Sequence, residues 1–528
     1  MNGVVTGSDL SAQEKKLLFW ASFLSLAAAG FGFSFRVAMQ GTYGAELDLT
    51  QQQVGQIFGA ALWPIALTMI GFSLLVDRTG YKAPMIGAFL LQGISGVGTF
   101  FADSYGTLYA FALCAGLGHG IVEAVINPIC AAVYPKEKTK WLTILHAAWP
   151  AGLVAGTLCI IGSNGMVEGG LSWHFHALWI ILPVIAYGFM YLPCKFPVDE
   201  RVQAGVPYME MLRQVGFLGA ALASVLIIYE VGNQYYTLSG GTLPEDWFNT
   251  SMMAGVGVGV VFGVMVRGLG KPLFFLMCLL MIPVATAELG TDGFIKELMT
   301  PVLENDWEID PAFALVFSAA IMLILRVYAG SVLKFFSPPG LLCLSGVFSA
   351  IGLYWLSSAA GTAIFIAFVL YALGQTYYWP CVLGFVSERY PKGGALTLNT
   401  VSAIGLLSAG IVGGPILGVA FDRSIHDKAV AEQPALAQGA TAPGSLFWME
   451  HEKIDPEKAK AYFATLPAAD QGSAQEAYDA SKGSAGRDVL KYAVRFPLIL
   501  LVVFGFIALY FRSKGGYKPV ELTDEGGT

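Results

Sequence analysis

Charge is scarce in this chain. Of its 528 residues only 13% are Asp, Glu, Lys or Arg, while 55% are hydrophobic, a balance well outside that of soluble globular domains. No basic stripe exists, which excludes a nucleic-acid partner. The seven cysteines, at 114, 130, 159, 194, 278, 343 and 381, lie in or at the ends of apolar runs without a C-x-x-C pair. That spacing suggests neither a disulfide framework nor a metal site. A Gly-rich phosphate loop and a nucleophile elbow are also missing, so no enzyme class is supported and no cofactor is expected. Long hydrophilic sequence is nearly absent too, apart from residues 423–489.

What remains is apolar and divided by short loops. Runs of about 20 residues, long enough to cross a bilayer, predict helices at 17–39, 53–76, 83–102, 105–134, 141–163 and 173–193. After a polar stretch from Lys195 to Arg213 they resume at 213–235, 251–268, 271–290, 312–333, 338–358, 361–388, 397–421 and 489–511. The total is about fourteen spans, or twelve if 213–235 and 251–268 form one bent helix with a re-entrant piece. The positive-inside rule supports the count. With the N-terminus inside, the inner segments hold Lys15, Lys16, Arg78, Lys82, Lys136, Lys138, Lys140, Lys195, Arg201, Arg213, Arg267, Lys271, Lys334, Arg389, Lys392, Arg512, Lys514 and Lys518, whereas the short outer loops hold only Lys296. This describes a multi-pass cell-membrane protein with both termini cytoplasmic. Glu14-Lys15-Lys16 leads into an apolar run longer than a signal core, so cleavage is not expected. Residues 423–489 fall outside, with short surface helices predicted at 454–464, starting at Asp455-Pro456, and at 470–482.

A few polar residues lie within these spans. His119, Glu123 and Asn127 are four apart and share one face of the 105–134 helix. A carboxylate midway along a membrane helix costs several kcal/mol unless it meets a partner or water. Burial and a nearby cation pull its proton affinity in opposite directions, which makes Glu123 a switchable proton carrier and His119 a second candidate. Arg36 and Arg326 are intramembrane guanidiniums, and each needs a carboxylate, carbonyls, water or an anionic substrate. Arg326 lies toward the cytoplasmic end, where it can snorkel or support a gate. Arg36 can neutralise Glu123 or bind substrate. Asn127, His146, Trp149, Trp63, Gln375, Tyr377, Tyr378 and Trp379 supply the amides, imidazole and rings that hold a hydroxylated solute. Glu230 and Glu288 fall at outer ends of predicted helices, where a solvated carboxylate needs no explanation.

The chain also repeats. Leu117-Gly118 and Tyr134-Pro135-Lys136 recur as Leu373-Gly374 and Tyr390-Pro391-Lys392 at an offset of 256, and Gly152-x3-Gly156 is echoed by Gly410-x3-Gly414. This divides the chain into a six-helix bundle at 1–194, a linker with two inserted helices at 195–270, and a second bundle at 271–528 that includes the 423–489 loop.

Ser73 to Lys82, SLLVDRTGYK, resembles the loop signature G-x-x-x-D-R-x-G-R-K of the major facilitator superfamily. Asp77, Arg78, Gly80 and Lys82 match, while Ser73 and Tyr81 depart from it. The resemblance implies an all-α integral membrane fold of two six-helix bundles, here with a two-helix insertion, and a cytoplasmic gate built from Asp77, Arg78, Gly80 and Lys82. In the equivalent second-half loop Lys334 stands where the Asp would be. Within the superfamily, Gly120 to Pro128, with Leu145-His146, Gly152, Leu49-Thr50 and Gly55, is similar to the fucose:proton symporter group, which implies a functional role for Glu123. One departure matters: that group has an acidic residue in its first helix, and Phe35-Arg36-Val37 carries a cation there. The favoured expectation is proton symport of a sugar-like solute by alternating access, in a monomer surrounded by membrane lipid. The alternatives are an organic-anion carrier using Arg36 and Arg326, and a non-transporting sensor with 423–489 as its receptor module.

Overall fold

The computed structural model describes residues 5–522. Among them, thirteen helices are long and apolar enough to cross a membrane, and a shorter apolar helix, Phe313–Val327, makes a fourteenth. Each coincides with a predicted span. The protein is an all-α, multi-pass membrane protein.

The helix ends differ from the hydropathy reading, for local reasons. The first span runs Ala12–Glu46 because Ser11 and Glu14 form a capping box, with Glu14 accepting from the Ser11 N–H at 2.8 Å and Ser11 Oγ accepting from the Glu14 N–H at 3.2 Å. The helix therefore starts in sequence too polar for a hydropathy window to count. The ninth span does not stop at 290. It continues through π-turns at Thr286–Gly290 and Val302–Asp306 to cover Pro272–Asp306, so residue 288 lies near its middle. The thirteenth span, Pro391–Glu432, also runs past its predicted end, and the fourteenth begins at Ala468, absorbing the surface helix expected at 470–482.

Small residues set the closest packing. A Cβ on Gly152 would lie 2.0 Å from the Ala27 carbonyl oxygen, and one on Gly156 would lie 2.1 Å from Ser34 Oγ. The first and fifth spans thus meet backbone to backbone through the predicted glycine pair. The echo at Gly410 and Gly414 makes no such contact: among the described residues nothing outside its own helix approaches either position, which lie at or beside the π-turn Ala409–Gly413. The seventh and eighth spans, Tyr208–Leu238 and Trp247–Val266, are two packed helices rather than one bent helix with a re-entrant piece. Gly255 and Gly259 press against Val225 and Ala221. The seventh helix kinks at Gly216, whose φ of 55° only glycine adopts without strain.

At the end that carries Asp77 the first six and last six spans are tied together. The Thr139 N–H and hydroxyl donate to Glu388 Oε1 at 3.1 and 2.6 Å, and the linker joins in, the Ala395 N–H donating to its Asp199 Oδ2 at 3.0 Å. Asp77 pairs with Arg201 of the linker, and Lys138 pairs with Glu200. The Tyr81 hydroxyl donates to Asp199 Oδ2 at 3.1 Å. Burial pushes the Asp199 carboxyl above its usual range despite the neighbouring Arg201. The signature loop is thus completed by the linker: Tyr81, the departure from the motif, is a buried hydroxyl donor, and Arg201 is the cation that meets Asp77. Arg78 and Lys82 are solvent-exposed, and Gly80, with φ 65°, ends the second span.

At the opposite end the hydrophilic segment folds into a small domain of its own. Leu436, Ile454, Phe463 and Tyr478 share a core there with Ile425 and Ala440. A β-hairpin pairs Thr441–Leu446 with Met449–Ile454, which the sequence reading did not foresee. Its tip residue Phe447 lies 4.2 Å, ring to ring, from Phe248 at the start of the eighth span. The cap helix Pro456–Thr465 begins where expected, since Asp455 Oδ1 accepts from the Glu457 and Lys458 N–H groups at 3.0 Å. Replacing that cap by alanine in Asp455→Ala should cost about 1 kcal/mol locally. Amide exchange of residues 456–465 is expected to quicken about fivefold while the membrane spans stay unchanged.

Candidate functional site

The polar centre of the molecule is delivered by prolines. The second, fifth and twelfth spans are each interrupted by a two-residue turn, at 61–62, 146–147 and 376–377. Each turn is followed within two residues by a Trp-Pro pair: Trp63-Pro64, Trp149-Pro150 and Trp379-Pro380. A proline supplies no N–H to the carbonyl four residues earlier. In the fourth span Pro128 does the same within an unbroken helix.

His119, Glu123 and Asn127 share a face of that fourth span, Tyr105–Val133, as predicted. Asn127 Nδ2 donates to Glu123 Oε2 at 2.8 Å, and His119 Nε2 lies 3.8 Å from Glu123 Oε1. Because the Asn127 amide nitrogen faces Glu123, its oxygen faces His146, whose Nε2 lies 2.9 Å away and donates to it. Glu123, Asn127 and His146 are all buried. His119 stacks on Trp149 with ring centres 5.1 Å apart.

The row continues into the other half of the molecule. The His146 carbonyl accepts from Arg326 Nη1 at 3.0 Å, Arg326 Nε donates to the Thr376 carbonyl at 2.9 Å, and Nη2 pairs with Glu288 Oε1 at 2.9 Å. Arg326 and Glu288 are both buried. This corrects two expectations. Arg326 stands in the last turn of its helix, but its side chain does not snorkel and is buried among four spans. Glu288 is not a solvated outer carboxylate but its counter-ion. The available signal was the amphipathic stretch after 290, which shows that the ninth helix continues.

Arg36 is different. It is buried, with Nη1 donating to the Gly32 carbonyl at 2.7 Å and Nη2 to Ser95 Oγ at 2.9 Å. It does not neutralise Glu123, and no carboxylate among the described residues lies within ion-pair reach of it. Arg36, Gln92, Ser95, His119 and Trp149 line a cavity of about 30 Å3. That volume holds roughly two waters, so the site is contracted around its polar groups in this conformation.

The remaining candidates lie elsewhere. Gln375, Tyr377, Tyr378 and Trp379 are buried at the break of the twelfth span and do not line this cavity. The Tyr377 hydroxyl donates to the Leu325 carbonyl at 3.0 Å, beside Arg326, whereas Gln375 Oε1 has no hydrogen-bond partner among the described residues. Trp63 is partly buried at the break of the second span, and its neighbour Leu62 lines the cavity in its place.

Residues 18–294, over half of the chain, match the model of the Major Facilitator Superfamily. The chain belongs to the Major Facilitator Superfamily, a class of membrane transporters. By sequence it is similar to the gentisate transporter of Corynebacterium glutamicum, with 26% identity over 222 residues that cover 38% of this chain and 49% of that protein. The match thus spans about half the length of this curated relative. By structure it is similar to the proton:xylose symporter XylE of E. coli bound to 6-bromo-6-deoxy-D-glucose, with 13% identity, 81% of this chain and 90% of that chain covered, and a TM-score of 0.55. It is also similar to the E. coli fucose:proton symporter FucP, with 11% identity, 92% and 98% covered, and a TM-score of 0.53. The human organic anion transporter MFSD10 (TETRAN) gives 10%, 93% and 99%, and 0.53. At these identities the structural likeness is one of fold.

The two arginines predict opposite stability effects. Glu288→Ala strands Arg326 as a buried charge, which should cost about 3–5 kcal/mol. Arg36→Met removes a guanidinium that has no counter-ion, and the ligand-free protein should melt no lower than the parent. Thermal denaturation of the two purified variants checks both.

Proposed function

We propose that this chain is a proton-coupled secondary transporter of the cell membrane that carries a small organic anion. In this reading the first six and last six spans alternate access to a central site, and both termini face the cytoplasm. The observation that supports the cargo is Arg36, a buried guanidinium on a cavity wall with a carbonyl and a hydroxyl but, among the described residues, no carboxylate beside it. Guanidinium stays charged, and a fixed charge away from water is costly unless an opposite charge joins it. An anion entering beside Arg36 supplies that charge, and the His119–Trp149 stack offers its body an aromatic surface. The sequence relative carries gentisate, an aromatic carboxylate.

Glu123 is then the proton carrier. Held by Asn127 and close to His119, it can gain and lose a proton as the cavity opens to either side. Gln375, Tyr377, Tyr378, Trp379 and Trp63 shape the far walls once the site expands. Arg326, already matched by Glu288, ties the halves together and does not bind cargo. At the gate, Asp77 acts with Arg201. The division at 1–194, 195–270 and 271–528 fits this scheme, with the inserted pair outside the alternating core.

A second reading, proton symport of a neutral sugar, draws on the Glu123–Asn127–His146 row. Its carboxylate, amide and imidazole are the groups that bind hydroxyls. The two readings part in proteoliposomes. Glu123→Gln should abolish accumulation driven by a pH gradient while leaving exchange of labelled substrate largely intact. Arg36→Gln should abolish both for a carboxylate such as benzoate. Uptake of a neutral sugar that survives Arg36→Gln, with no carboxylate uptake by the parent, would overturn the anion reading in favour of the second.

A further inference from the structure

Two side chains that join the halves inside the bundle, Asn399 and Arg326, bind carbonyls that prolines have freed. The Ala124 carbonyl loses its helical donor to Pro128, and Asn399 Nδ2 of the thirteenth span donates to it at 3.0 Å while also reaching Ser73 Oγ at 2.7 Å. The His146 carbonyl loses its donor to Pro150, and Arg326 Nη1 of the tenth span donates to it at 3.0 Å. Within the last six spans the pattern recurs, since Thr376 loses its donor to Pro380 and Arg326 Nε fills the place at 2.9 Å. A carbonyl without a donor away from water is destabilising, so each acceptor draws a side chain from outside its own helix.

We infer that Pro128 and Pro150 are positioning residues for transport: each frees one carbonyl of the first six spans as a docking point for Asn399 or Arg326 of the last six. The ties hold the halves together in the conformation seen here, closed at the Asp77 end. The Arg326 tie is reversible because Arg326 keeps two partners within the last six spans, Glu288 and Thr376, whereas Asn399 reaches a second group of the first six, the Ser73 hydroxyl, which strengthens its tie. When the halves part, Arg326 stays matched by Glu288 and no charge is stranded. The inference needs only that the two sets of spans separate and rejoin, and it does not depend on the cargo.

Restoring the missing N–H should make the ties redundant. In the full-length protein, ligand-free, Pro128→Ala and Pro150→Ala are each expected to speed amide exchange at the Asp77 end, in residues 138–145 and 391–400, about fivefold. Thermal stability should be unchanged or higher, since the helix gains a donor. Asn399→Ala, which also loses Ser73, should give at least the increase of Pro128→Ala, and the two combined should give no more than Asn399→Ala alone. Pro183→Ala, in the sixth span, serves as control and should leave these segments unchanged, because its freed Trp179 carbonyl has no donor from the other half among the described residues. Unaltered exchange in the proline variants, or full addition of the Pro128 and Asn399 effects, would overturn the proposal. A substrate screen that fails altogether would not bear on it.

Discussion

A guanidinium that cannot lose its proton and cannot reach water must be satisfied where it stands, and around Arg326 that requirement organises the centre of this transporter. Its three donor nitrogens meet Glu288 on the ninth span, the Thr376 carbonyl on the twelfth and the His146 carbonyl on the fifth. From His146 the order passes through Asn127 to Glu123. A carboxylate in each half is thus connected through the Asn127 amide, the ring and carbonyl of His146, and the Arg326 guanidinium. Replacing a buried ion pair by apolar residues is often neutral or better for stability, so the pair is best understood through what it connects. It lets the two halves share an acceptor while the charge remains matched whichever way they move.

The contrast with Arg36 carries the functional argument. Both arginines are buried, yet one is neutralised by the protein and the other is not. Charge that is locally unmatched within a membrane span is tolerated where something else matches it for part of the time. Here the cavity beside Arg36, His119 and Trp149 is too small in this conformation for an organic solute, consistent with a site that forms fully only as the halves rearrange. The additions to the twelve-span plan lie away from it. The inserted helices pack on each other and, through the first of them, on the thirteenth span, and the hairpin tip at Phe447 touches the pair through Phe248.

Much of this was legible in the sequence, because hydropathy and loop charge report directly on the cost of placing residues in lipid. Every span was anticipated, as was the shared face of His119, Glu123 and Asn127 and the close approach at Gly152 and Gly156. The reading failed where polar and apolar sequence share one helix. Glu288 looked solvated because the hydropathy run ends beside it, whereas the helix continues through a π-turn. Tyr81 looked like a flaw in the loop signature, whereas Asp199 and Arg201, more than a hundred residues later, are the partners of Tyr81 and Asp77. The hairpin at 441–454 contains Pro443 and Gly444 and lacks an alternating apolar pattern, so no strand period announced it. The Trp-Pro pairs were visible as separate aromatics. Their meaning depends on which donors reach the carbonyls they free, and that is a tertiary fact.

The central claim is that Arg36 awaits an anion, and calorimetric titration of the purified protein tests it most directly. Benzoate and a neutral sugar such as fucose would be titrated into the parent and into Arg36→Gln, in buffers of differing ionisation enthalpy. The account predicts saturable binding of benzoate with proton uptake, lost in Arg36→Gln, and no comparable binding of the sugar. Sugar binding that is indifferent to Arg36→Gln, with no heat from benzoate, would contradict it.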